Sequence, residues 1–101
     1  MRMLVQITLP PEDFNDKVRD GTIGETMQAI LADIDPEAIY FTEMGGDRGA
    51  IMIVDVENPS AIPRIAEPWF LQFNAAVQFG IVMSPEELAA AGLEELGRKW
   101  G

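Results

Sequence analysis

Two β-rich runs, Ala38 to Met44 and Ala50 to Val56, stand on either side of Gly45-Gly46-Asp47-Arg48-Gly49. Apolar and β-branched runs joined by a glycine-rich connection read as an antiparallel hairpin, because glycine supplies the positive φ that a tight reversal requires. The remaining elements have to assemble around this hairpin.

Upstream, Met3 to Leu9 alternates Met3, Val5, Ile7 and Leu9 against Leu4, Gln6 and Thr8, the period of a strand, and Pro10-Pro11 ends it. A helical pattern follows, weak from Phe14 to Asp20 and stronger from Thr22, where Thr22-Ile23-Gly24-Glu25 has capping-box spacing. Met27, Ile30, Leu31 and Ile34 share one face, and Gly21 and Gly24 are expected to divide the pattern. Asp35-Pro36 marks its end.

Downstream of the hairpin, Ser60 as N-cap places Pro63 in the first turn of a helix carrying Ile62, Ile65, Ala66 and Trp69. Pro68 is expected to close that helix, with Trp69 to Asn74 irregular and Ala75 to Met83 a fourth strand. Ser84-Pro85-Glu86-Glu87 then combines a capping box with proline at the first helical position. The terminal helix it opens has an apolar stripe of Leu88, Ala89, Leu93, Leu96 and Trp100, with Arg98 and Lys99 at its negative end.

The order strand, helix, strand, strand, helix, strand predicts an α+β fold: a ferredoxin-like βαββαβ antiparallel sheet plus a C-terminal helix, formed by residues 1–101 as a single domain. Right-handed crossovers place both helices on one side of the sheet, leaving the other side open. An even-length hairpin loop pairs even positions with odd ones, so the two faces can be assigned. The covered face should carry Val5, Ile7, Ile39, Phe41, Met52, Val54, Val77, Phe79 and Ile81. The open face should carry Leu4, Gln6, Thr8, Tyr40, Thr42, Met44, Ile51, Ile53, Asp55, Ala76, Gln78, Gly80 and Val82. That mixture is too apolar to leave in water over a whole sheet, and a symmetric homodimer is the commonest solution.

Composition narrows the function classes. A formal net charge of -10, with no basic stripe, repels phosphate backbones and anionic bilayers, so neither nucleic acid nor a membrane is an expected partner. The longest uninterrupted apolar stretch, Ala50 to Val54, is far short of the roughly 20 residues that span a bilayer. Gln6 interrupts the N-terminal apolar run where a signal peptide would continue, and the chain has no cysteine; both fit a cytoplasmic protein. Without histidine or cysteine, zinc-thiolate, haem-histidine and Ser-His chemistry are excluded. The acidic clusters Glu12-Asp13-Asp16 and Asp33-Asp35-Glu37 lack EF-hand spacing and read as solvated, so neither metal nor cofactor is expected.

The stretch Val54-Asp55-Val56-Glu57-Asn58-Pro59-Ser60, followed by a short helix and by Glu67-Pro68-Trp69-Phe70 leading into Val77 to Met83, resembles the second half of the dimeric α/β-barrel superfamily. Its muconolactone isomerase-like branch has a similar strand, Pro-Ser helix start and proline-aromatic approach to the final strand. The resemblance covers the element order of about residues 1 to 83 and implies two sheets facing each other around a central cavity. That superfamily includes cofactor-independent isomerase and monooxygenase types, and fold membership alone does not choose among them.

Within the open face, Gln6, Thr8, Tyr40, Thr42, Asp55 and Gln78 form the polar group, and these are the candidate site. Asp55 as base and Tyr40 as donor or acid would be the catalytic pair, with Gln6, Thr8, Thr42, Gln78 and the aromatic wall of Trp69 binding a small organic ligand. The competing account is that Thr and Gln hydrogen-bond across a dimer seam, Asp55 ends a strand in solvent, and Trp69 completes the stripe of Ile62, Ile65 and Ala66. On that account the protein is a non-catalytic self-association or regulatory module.

Overall fold

The computed structural model describes every residue, Met1–Gly101. Four antiparallel strands, β1 (Arg2–Leu9), β2 (Ala38–Met44), β3 (Asp47–Asp55) and β4 (Ala76–Ile81), form one sheet in the order β2-β3-β1-β4. Helices α1 (Pro11–Asp20) and α2 (Ile23–Ile34) connect β1 to β2, and α3 (Ala61–Phe73) connects β3 to β4. Each crossover skips one strand, which makes two split βαβ units and a ferredoxin-like α+β fold. No helix is long and apolar enough to cross a membrane.

The hairpin turn is tighter than the glycine-rich stretch suggests. Only Gly45 and Gly46 form it, with φ of 61° and 91°, and β3 begins at Asp47. Two left-handed residues match the twist of the flanking strands. The loop is even-numbered, so Met44 pairs with Asp47, Phe41 with Ala50 and Ile39 with Met52. Both faces therefore carry the residues assigned to them from sequence.

Burial along β1 alternates strictly, with Met3, Val5, Ile7 and Leu9 inside. Ala50, Met52 and Val54 of β3 join them, and α2 and α3 add Ile30, Ile65, Trp69 and Phe73. Rings stack through this layer, Phe14 on Phe73 at 5.6 Å and Trp69 on Phe73 at 6.1 Å between centroids. Helix cover is narrower than the sheet. Ile39, Val77 and Phe79 are only half-buried, while Phe41 and Ile81, on the same face but on the edge strands, are 54% and 66% exposed.

Four local expectations are corrected. First, Gly21, in the left-handed region at φ 82°, divides the first helical stretch, and Gly24 lies inside α2. Second, Thr22 caps nothing: its hydroxyl donates to Asp20 Oδ1 at 2.6 Å, so it is not turned toward the first amides of α2. Third, Pro68 does not close α3, which runs on to Phe73. An interior proline costs about 3 kcal/mol, but ending the helix there would leave Trp69 and Phe73 outside the core they fill. The carbonyl that loses its partner belongs to exposed Arg64, where water can replace the missing N–H.

Fourth, the terminal helix is two helices, α4 (Pro85–Ala89) and α5 (Leu93–Trp100), bent at Gly92 with φ 76°. The capping box at its start forms as expected: the Glu87 amide donates to Ser84 Oγ at 3.1 Å and the Ser84 amide to Glu87 Oε1 at 2.8 Å. No residue from Pro85 onward is buried, and the arm stands away from the body. The chain measures 60 × 28 × 19 Å, with a radius of gyration of 17.1 Å, against about 13 Å for a compact domain of this length.

Trp69 tests this account of the core. It is fully buried, and its indole N–H has no hydrogen-bond partner. Trp69→Ala is expected to cost about 3–5 kcal/mol, while Trp69→Phe should cost less than half as much, because it also removes a buried donor whose burial carries a penalty of about 1–3 kcal/mol. Urea unfolding of both variants measures this; a phenylalanine variant as damaged as the alanine one would show that the indole N–H makes a bond the core depends on.

Candidate functional site

The open face of the sheet is organised in cross-strand rows. Tyr40, Ile51, Gln6 and Gln78 form one row across all four strands, and Thr42, Gly49, Thr8 and Ala76 form the next. A third row is Ala38, Ile53, Leu4 and Gly80. Five of the candidate residues, Gln6, Thr8, Tyr40, Thr42 and Gln78, thus lie on two adjacent rows of one surface. Tyr40 is the most prominent, 72% exposed with its ring on the open side of edge strand β2.

Small residues shape this face. Gly49 sits between Thr42 and Thr8, and a Cβ added there would lie 2.6 Å from Met44 Cγ and 2.9 Å from the Ile7 carbonyl oxygen. The Met44 side chain therefore folds over the bare glycine backbone, and its sulfur receives a contact from Thr8 Oγ1 at 3.8 Å. A flexible thioether over a row of small residues makes a floor that can adapt its depth. The sequence signal was Gly49 itself, a glycine inside a strand pattern, which marks close approach by another group.

Asp55 and Trp69 stand apart from the cluster. Asp55 lies at the far end of β3, four residues beyond the Tyr40 row, which at strand rise is about 13 Å. It accepts a hydrogen bond from the Met1 ammonium at 3.0 Å, and this bond, followed by the attraction between the two charges, holds its carboxyl below the usual carboxylate range. Tyr40 and Asp55 of one protomer are thus too far apart to share a proton. Trp69 lies in the core on the helix side, with the sheet between it and the open face. Arg48 is engaged within the chain: its guanidinium lies 4.4 Å from the Phe14 ring centroid and donates to Asn15 Oδ1 at 2.8 Å.

A second concavity, not apparent from the sequence, lies on the helix side between α2 and α3. It is a groove of about 560 Å³ lined by Glu25, Thr26, Ala29, Ile30, Asp33, Pro68, Leu71 and Gln72. Asp33 on its rim faces Arg64 at 3.8 Å. No group of histidine, cysteine or acidic side chains is arranged to hold a metal ion.

No protein-family model matches the chain, and no curated protein matches it. Solved structures similar to it include a de novo designed protein, Ferredog-Diesel, at 11% identity and a TM-score of 0.45, covering 80% of this chain and 85% of that one. Another is protein Atu4242 from Agrobacterium tumefaciens, at 14% identity and a TM-score of 0.41, covering 84% of this chain and 98% of that one. The fold assignment rests on the strand order and register described above.

The Asp55 contact gives a pH prediction. A carboxyl whose folded pKa is depressed adds stability above its unfolded pKa and loses it as pH falls through the folded value. In a carboxyl-carbon NMR titration, Asp55 should therefore titrate below the ordinary 3.8, with the Met1 contact breaking on further acidification. A midpoint at or above the ordinary value would show that the ammonium does not hold Asp55 in solution.

Proposed function

We propose that two copies of this chain pair through their open sheet faces into a dimeric α/β barrel that binds a small organic compound between the sheets. The observation that carries this reading is the open face itself: a sheet surface with Tyr40, Ile51, Ile53, Leu4 and Met44 beside the neutral polar Gln6, Thr8, Thr42 and Gln78. Facing sheets lie about 10 Å apart. Rows containing Gly49, Gly80, Ala38 and Ala76 cannot fill such a gap, so a cavity would remain where side chains are short and amide and hydroxyl groups converge. The muconolactone isomerase-like layout around Asn58-Pro59-Ser60 supports the same pairing.

The chemistry within that cavity would be cofactor-independent and would act on a neutral, partly apolar compound, since none of the five clustered polar side chains is a formal charge. The non-catalytic reading has its own support: the only carboxylate on the face among the candidates, Asp55, is about 13 Å from Tyr40 along the strand and is tied to the Met1 ammonium. We therefore assign ligand binding to Gln6, Thr8, Tyr40, Thr42 and Gln78 and leave catalysis by a Tyr40 and Asp55 pair as the weaker proposal. A cysteine-free, strongly acidic chain suits work in a reducing cytoplasm.

Sedimentation equilibrium and native mass spectrometry test the reading together. Wild-type protein should sediment as a dimer at micromolar concentration and retain a small molecule under native ionisation, and Ile53→Lys should yield monomers or insoluble protein. A wild-type monomer would overturn the pairing. A dimer without bound compound, whose affinity for small aromatic probes is unchanged by Tyr40→Phe and Gln6→Ala, would favour a purely self-associating module.

A further inference from the structure

The terminal arm and the β2 edge each carry apolar surface that nothing in the chain covers. On the arm, Leu88 and Leu93 line the inside of the bend at Gly92, in a concavity of about 650 Å³ between α4 and α5. Helix spacing continues that stripe through Leu96 to Trp100, which is 77% exposed. On β2, Phe41 lies on the helix side of the sheet, but no helix extends over it.

We propose that the arm clasps a second copy of this chain, α4 and α5 of each protomer lying over the β2 edge of the other and covering Phe41. This inference rests on the face-to-face pairing proposed above and adds where its second contact lies.

Two observations select a second copy as the occupant. The arm leaves from β4, which is the edge opposite β2, and it points away from its own body along the 60 Å axis. Its own Phe41 is thus on the far side of the sheet, three strand spacings or about 14 Å away across the β-strands, while a reciprocal exchange between two copies closes as a two-fold dimer.

The second is area. The open face measures about 19 Å across four strands by about 23 Å along seven residues, a footprint of about 440 Å², whereas a stable interface buries about 800 Å² on each partner. Gly49, Gly80, Ala38 and Ala76 keep that face shallow, so sheet pairing alone falls short and a two-helix arm supplies the remainder.

The chain has no cysteine, so single introduced thiols report one contact. Gly97 lies within the apolar stripe with open space where its Cβ would be, and Glu43 is exposed two residues from Phe41 on the same face. Mixing Gly97→Cys with Glu43→Cys protein under mild oxidation should give a mixed disulfide dimer as the main product. In parallel, Leu96→Ala combined with Trp100→Ala should raise the dimer Kd at least tenfold by sedimentation equilibrium, with the circular dichroism of the body unchanged because the arm contributes nothing to its core. A wild-type dimer with no mixed disulfide, or with the same Kd after the double substitution, overturns the clasp and leaves the sheet pairing standing. A wild-type monomer overturns both.

Discussion

The two-residue turn at Gly45-Gly46 fixes the register on which the rest of the molecule depends. In a strand the side chains alternate with period two, so adding one residue to that turn would exchange the faces of β2 relative to β3. With Met44 opposite Asp47, Ile39 and Phe41 fall on the side of Met52 and Ala50, and Tyr40 and Thr42 on the side of Ile51 and Gly49. Glycine at both positions is a backbone requirement, since residues with a Cβ rarely adopt the positive φ seen at each. The open-face cluster exists because this turn places the right half of each strand on one side.

Given that register, the core follows from how much sheet three helices can cover. β1 and β3 are the central strands, and their inward residues are buried almost completely, whereas edge residues of the same face are half-buried or exposed. The aromatic trio of Phe14, Trp69 and Phe73 locks α1 and α3 together over the centre, and Arg48 extends that lock to the hairpin by lying over the Phe14 ring. The result is a body finished at its centre and unfinished at its margins. The open face, the β2 edge and the arm are all margins, which is why association and ligand binding are the functions we propose for it.

The candidate site was legible where it followed from alternation and illegible where it followed from distance. Gln6, Thr8, Tyr40, Thr42 and Gln78 could be placed on one face from parity alone, and the structure puts them on two neighbouring rows. Parity says nothing of position along a strand, so Asp55 shared their face in the sequence reading and lies far from Tyr40 in space. Trp69 shows the reverse failure: Ile62, Ile65, Ala66, Trp69 and Phe73 keep helical spacing straight through Pro68, and that continuous stripe outweighs the local signal of the proline.

The sequence by itself determined the α+β class, the order of elements, the faces of all four strands and the Ser84 capping box, because each depends on residues within a few positions of one another or on a period that repeats. Only the tertiary structure decided that α3 passes through Pro68, that Arg48 turns back onto Phe14, that Met44 folds over Gly49, and that no residue of the arm is buried. Each of these depends on which groups meet across long stretches of chain. An amphipathic stripe such as Leu88, Leu93, Leu96 and Trp100 requires a hydrophobic surface to rest on, but its period does not say whose surface that is, because a repeat within one helix carries no information about what lies across from it.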